Sequence, residues 1–255
     1  MTNYKNILIY FLFFIYILVG AYLSLTNGIT SDEFIEQNNW SINLSASKEF
    51  ISTGQYPSFL DFWDRYHGIA FHLISQPVQF LIKDYIASFN EATELGGLLL
   101  SKHLVVFIIF SISGIFFYLF LIKIFKNQYL SLLGTAIYLL YPYLFGHAQF
   151  NPKDIPFMSF WLINTLISLK LFEDLYFKRE IKFKKLIILS FLTAFLISIR
   201  IVGLLIFVQY FISLIICTEK IKLSFFKFIK LNIINFTIFF IFTFVFLIIL
   251  NPIFW

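Results

Sequence analysis

Two short polar segments interrupt a chain that is otherwise apolar. The first is Thr30-Ser31-Asp32-Glu33. Threonine followed three residues later by glutamate is the spacing of a capping box, in which Thr30 caps a helix and Glu33 reaches back to it. Acids at the mouth of a membrane helix can also serve as a general base or as metal ligands. The two roles are compatible, because a cap would fix the direction in which Asp32 points. The second segment is Gly146-His147-Ala148-Gln149-Phe150-Asn151-Pro152-Lys153-Asp154-Ile155-Pro156. Two prolines and a glycine make a stiff, shaped loop. Asn151 or Asp154 could cap the helix that follows. His147, Lys153 and Asp154 are nevertheless costly groups to keep beside lipid, where polar residues face a cavity or a partner. A lone cation, Arg200, divides two apolar runs. It needs either an anion or a snorkelling route to the interface.

The elements that position these groups must be membrane helices. The chain has 255 residues, 60% hydrophobic and 13% charged, with 37 phenylalanines. A soluble domain of this length has no interior large enough for that apolar surface. The net charge of +5 does not indicate nucleic acid, because the basic residues sit at the ends of apolar runs and not along one polar face. The single cysteine, Cys217, excludes an intrachain disulfide. The bias toward Ile, Phe, Lys and Asn points to an AT-rich genome.

Seven apolar runs are expected to span the bilayer: Ile7–Leu25, His103–Ile122, Tyr129–Phe145, Phe157–Phe172, Leu186–Ile199, Ile201–Cys217 and Ile233–Leu250. The first is long enough to cross, and it lacks the small-residue cleavage site of a signal peptide, so it reads as a retained anchor. The fifth and sixth, taken as one helix, would be ~50 Å long, too long for a bilayer. They read as a hairpin with Arg200 near its outer turn. With the N-terminus inside, the cytoplasmic face takes Lys5, Lys123, Lys126, Lys170, the five cations of 178–185 and the four of 220–230, against only Glu173, Asp174, Glu180 and Glu219. That bias fixes the orientation. The fold expected is all-α, a polytopic transmembrane bundle of about seven spans with a long helical first outer loop, residues 26–101. Within that loop the apolar spacing over Ile69–Ile86 predicts an amphipathic helix. His72, Ser75, Gln76, Gln79 and Lys83 form its polar stripe, and it lies along the membrane surface.

In this topology three helices begin at the outer face, where N-termini favour anions. Lys102, Lys153 and Arg200 lie at or next to those termini and outline an anion site, for which a lipid-linked phosphate is the natural ligand. Asp61-Phe62-Trp63-Asp64-Arg65-Tyr66-His67-Gly68 suits sugar stacking, and interfacial anchoring equally well. His67 and His72 are too poor a pair for zinc without further ligands.

The Asp32-Glu33 pair after the first span, the long outer loop and the segment His147–Pro156 together resemble the N-terminal module of the GT-C membrane glycosyltransferases, the branch of the protein mannosyltransferases and aminoarabinose lipid A transferases (glycosyltransferase family 39-like). The resemblance extends over the whole chain. It implies a polyprenyl-phosphate sugar donor, used on the non-cytoplasmic side of the inner (plasma) membrane, and inversion at the anomeric carbon. The acceptor would be a lipid, a glycan or a protein. Asp32 would then be the general base, with Glu33 supporting it or binding the acceptor. Asp154 would orient substrate or hold a metal. Lys153 and Arg200, with His147, Asn151 and Lys102, would bind the phosphate and substrate. No organic cofactor is implied; a divalent metal would fall to Asp32 and Asp154. Family members usually continue beyond the seventh span, so the resemblance also implies a missing C-terminal half. Two rivals stand beside this reading, a transporter or flippase of lipid-linked sugars and a non-catalytic membrane scaffold. The nearly uniform apolar character of the mid-span positions favours the enzyme over the transporter.

Overall fold

The structure, a computed structural model, describes residues 2–55, 68–177 and 181–251, with side chains from Ile7 onward. The aromatic segment 61–67 and the cations Lys178 and Arg179 lie outside the described residues. Among the described residues the regular structure is helical throughout: α1 Thr2–Thr26, α2 Ser31–Thr53, α3 Ala70–Phe89, α4 Glu94–Phe125, α5 Gln128–Leu140, α6 Pro142–His147, α7 Asp154–Tyr176, α8 Phe183–Ile199, a 3-10 turn Ile201–Leu205, α9 Ile206–Ile221, α10 Phe225–Leu231 and α11 Ile233–Leu250.

Every one of the seven apolar runs is helical. Among the described residues, five segments are long and apolar enough to cross a membrane: Ile7–Thr26, Glu94–Phe125, Asp154–Tyr176, Ile201–Ile221 and Ile233–Leu250. The expected third span is divided. Pro142 has no N–H to continue the ladder and pushes the preceding residue out of the helical region. Tyr141 accordingly takes φ −59°, ψ 119°, and α5 stops at 13 residues, only ~20 Å of helix. Large apolar side chains along α1, α9 and α11 are exposed, among them Phe11, Phe14, Val208 and Phe244. Such a surface belongs in a bilayer.

The helices fall into two compact units, Met1–Ile35 with Phe71–Ser159, and Glu36–Ala70 with Phe160–Trp255. In the first unit α4 is the central post. Phe107 on α4 packs with Tyr16 of α1, ring centroids 5.4 Å apart, and Ser113 hydrogen-bonds the Tyr138 hydroxyl of α5 at 2.8 Å. Helices α3 and α4 run antiparallel: Lys83 pairs with Glu94, and Gln79 donates to the Leu98 carbonyl at 2.8 Å. Gly97 permits this approach, since a Cβ there would lie 2.4 Å from the Lys83 carbonyl oxygen. In the second unit α8 and α11 are joined by Ser190 donating to the Phe239 carbonyl at 3.0 Å and Asn251 donating to Ser198 at 2.7 Å. Tyr210 of α9 donates to Asn164 of α7 at 2.6 Å and meets Thr193 of α8 at 2.9 Å. Hydrogen bonds of this kind hold helices together where lipid offers no hydrophobic drive between them.

The chain breaks at Arg200, as its charge and position predict. Arg200 is extended at φ −147°, ψ 133°. Beyond it the backbone doubles back so closely that a Cβ on Gly203 would lie 2.9 Å from the Ile197 Cα.

Two expectations are corrected. Lys102 is not at a helix start. The helix begins at Glu94, with the Thr93 hydroxyl accepting from the Gly96 N–H at 3.1 Å, because Leu95–Ser101 is as compatible with helix as the run after it. Lys102 therefore lies more than two turns inside α4 and is wholly buried. The second correction concerns α3. Its helical spacing is as expected, but its polar stripe does not face water. His72, Ser75, Gln76 and Gln79 are buried, while Leu73, Phe80, Leu81 and Tyr85 are exposed. Helix α3 is amphipathic with its polar side inward, which suits lipid outside and polar groups inside.

Candidate functional site

The first polar centre forms where α1 ends, α2 begins and α4 passes beside them. Thr30 precedes α2 as its cap. Its N–H and its hydroxyl both donate to Glu33 Oε1, at 2.8 and 3.0 Å. This is the backward half of the capping box that the spacing predicts. The other oxygen of Glu33, Oε2, lies 2.6 Å from His103 Nε2, and both side chains are fully buried. His103 Nδ1 lies 3.1 Å from the Ser24 carbonyl oxygen. That carbonyl can only accept, so Nδ1 carries a proton. A second proton must then lie between Nε2 and Oε2, on one atom or the other. Either way the pair is neutral as a whole, which is how an acid and an imidazole can share a dry site.

Beside this pair on α4 is Lys102, and across from it on α3 is His72. Burial, and then the charge of Lys102, hold the His72 ring well below its ordinary pKa, in the neutral form. The rest of the inner face of α3 supplies oxygen acceptors. Ser75 Oγ, Gln76 Oε1 and Gln79 Oε1 are buried with no hydrogen-bond partner among the described residues. The first unit thus encloses a set of polar side chains that includes the buried Lys102.

Asp32 lies one residue before Glu33 on the first turn of α2, where a carboxylate complements the helix dipole. It is exposed, and among the described residues it makes no side-chain hydrogen bond or ion pair. The anchoring of Glu33 fixes the turn from which Asp32 projects.

The second polar centre is the turn between α6 and α7. Asn151 Oδ1 accepts from the N–H groups of Lys153 and Asp154, at 3.1 and 2.9 Å, and so caps α7. Asn151 Nδ2 donates to Asp154 Oδ2 at 3.1 Å and to His147 Nδ1 at 3.2 Å. His147 accepts at Nδ1, so its proton is on Nε2. Its ring lies 4.2 Å from that of Tyr143, centroid to centroid. Asn151 therefore uses its whole amide to build the turn that holds His147 and Asp154. Asp154 is exposed, and Lys153 is half-buried just before the start of α7.

The structure thus brings together Glu33 with Thr30, and His147 with Asn151 and Asp154, as clusters of neighbours in sequence. Arg200 is exposed and belongs to the second unit. Sequence reading missed His103 as a polar partner, and it placed His72, Gln76 and Gln79 on a stripe facing away from the protein when they are buried. His103 looked like the first residue of an apolar run. The signal that could have found it is its adjacency to Lys102, two polar side chains inside what is otherwise hydrocarbon. Among the described residues no set of three or more His, Cys, Asp or Glu side chains is placed to share a metal ion.

Compared with protein-family models, curated proteins and solved structures, the chain has no significant match.

Proposed function

We propose that the protein is a membrane glycosyltransferase that moves a sugar from a polyprenyl-phosphate donor to an acceptor at the non-cytoplasmic face. The observation that supports this most is the exposed Asp32 carboxylate on a helix turn anchored from beneath by Glu33 and His103. A general base must be reachable and must be carried on a fixed stretch of backbone, and Asp32 meets both conditions. In this reading Asp32 takes the proton of the acceptor hydroxyl as that oxygen attacks the anomeric carbon. The bond to the phosphate oxygen breaks on the opposite face, and the lipid phosphate leaves with the electron pair. Lys153 and the N-terminus of α7 offer positive charge to that phosphate. Arg200, in the second unit, is a candidate phosphate ligand on the sequence reading alone. Asp154, fixed by Asn151, would orient the sugar or share a divalent metal with Asp32. Glu33 acts through Asp32, as a positioning residue, and does not touch the substrate. The full topology proposed is seven spans, with α5 and α8 as short members, the N-terminus cytoplasmic and Asp32 at the exoplasmic rim.

One observation favours a second reading, transport of a lipid-linked sugar. Lys102 and His103 lie inside a spanning helix and are fully buried, and ionisable groups at such depth commonly mark a translocation path. The experiment that separates the readings uses sealed vesicles containing the protein and a labelled polyprenyl-phosphate sugar. Label transferred covalently to an acceptor supports the enzyme. Intact donor crossing the bilayer supports the transporter. Neither outcome leaves a scaffold.

A further inference from the structure

The second unit contains a cavity of about 710 Å³ among α7, α8, α9, α10 and α11. Its walls are almost wholly apolar, with Phe172, Leu189, Leu214, Phe225, Ile229 and Phe240 among them. The volume is that of a ligand site, roughly 300–1,000 Å³. Phe240 and its fellow wall residue Phe211 are also exposed, so the cavity opens sideways out of the helix bundle.

The place of this cavity matters as much as its lining. Its walls come from the C-terminal turns of α7, the first turns of α8, the N-terminal halves of α9 and α11, and Phe225 and Ile229 of α10. The walls from α7, α8, α10 and α11 lie at the lysine-rich end of the unit, and those from α9 extend the hollow away from it. Lys182, Lys184, Lys220, Lys222, Lys227 and Lys230 are all exposed at that end, while Lys185 is paired with Asp174. Three wall residues, Ile181, Phe225 and Ile229, are within two positions of Lys182, Lys227 and Lys230. On α10 the buried Phe228 turns inward while Lys227 and Lys230 stay outside. An apolar hollow that opens to the side, with exposed lysines next in sequence to the wall residues of one end, is complementary to one kind of molecule, an alkyl chain joined to an anion.

We propose that this cavity binds one acyl chain of an anionic membrane phospholipid, with the phosphate headgroup on these lysines. A free phosphate would find no polar wall inside. A zwitterionic lipid would fill the hollow and gain little from their net positive charge. The positive-inside bias places this end at the cytoplasmic leaflet, where anionic lipids are concentrated. The cavity is lined by residues of the second unit alone, and the proposal does not depend on the glycosyltransferase reading.

The test uses the purified full chain in detergent, offered phosphatidylglycerol and phosphatidylcholine of matched acyl chains in equal amounts. Bound lipid is read by native mass spectrometry. The expected result is retention of phosphatidylglycerol over phosphatidylcholine by about fivefold or more, falling as salt is raised. The variant Lys182→Gln/Lys184→Gln/Lys227→Gln/Lys230→Gln should bring the ratio to about one. Lys123→Gln/Lys126→Gln, in the other unit, should leave it unchanged. Leu214→Trp, which fills the hollow, should reduce retention of both lipids. The proposal is overturned by a wild-type ratio near one, by a ratio that survives the four-lysine variant, or by full retention in Leu214→Trp. If that last variant does not fold, the wild-type ratio at low and high salt still decides, since a preference indifferent to salt rules out the lysines.

Discussion

Glu33 Oε2 and His103 Nε2 stand 2.6 Å apart with both side chains fully buried, although 70 positions separate them in the chain. This contact ties the start of α2 to the wall of α4. Removing one member of a buried acid–base pair leaves the other without its proton partner, at a cost of ~3–5 kcal/mol. Glu33→Ala and His103→Ala should each lower stability by that order. Glu33→Gln should be much milder, because its amide can donate to His103 and still accept from Thr30. Thermal unfolding in detergent measures all three. Equal losses for Gln and Ala at position 33 would mean that this hydrogen-bond geometry is not what holds α2.

Asp32→Asn removes the proposed base while leaving an exposed side chain of the same shape. Sugar transfer should fall by ~10²–10⁴-fold, with the unfolding temperature unchanged. Incorporation of label from a polyprenyl-phosphate donor measures it. Normal transfer in this variant would take Asp32 out of the reaction.

Much of the architecture was legible because hydropathy has a long range along the chain. Six of the seven apolar runs are continuously helical and the third is split at Tyr141, the break at Arg200 follows from a charge at mid-run, and the Thr30–Glu33 hydrogen bond follows from three-residue spacing. Local rules reached this far because helix and cap are local structures. They could not show which face of α3 is covered, since His72-x-x-Ser75-Gln76-x-x-Gln79 has the same spacing whether it meets water or protein. Nor could they bring His103 to Glu33, a tertiary contact with no trace in either neighbourhood. Lys102 was misplaced for a simpler reason: a lysine beside an apolar run looks like a boundary, yet α4 had begun eight residues earlier.

His72 supplies a pH dependence with a definite sign. Its folded-state pKa lies below the ordinary value near 6.5, through burial and then Lys102. The neutral ring is therefore the form that fits the fold. Its contribution is complete above that ordinary value and is lost as pH falls toward the folded one, because the unfolded chain then binds the extra proton. Stability should decline from pH 7.5 to 5.5, with a slope from this residue of up to about 1.4 kcal/mol per pH unit. His72→Gln should flatten that slope in melts taken across the range. An unaltered slope would place the titration elsewhere.

The orientation can be read by labelling. Cys217 is buried, and Cys217→Ser supplies a silent background. Asn27 and Asn127, both exposed, lie in the connections on either side of the segment that ends in α4. In intact cells an impermeant maleimide should label Asn27→Cys and spare Asn127→Cys. The reverse pattern would invert the protein, and equal labelling of both would remove α4 as a span.

Helix α3 has a consequence for how anything enters. Its glutamines and His72 point into the protein while Leu73, Phe80, Leu81 and Tyr85 point out, and Gly97 clasps it backbone to backbone against α4. Swinging it open would strand those amides in hydrocarbon and drag a greasy surface through water. It is therefore a wall and cannot serve as a flap, so a substrate that reaches the interior must arrive by some other door.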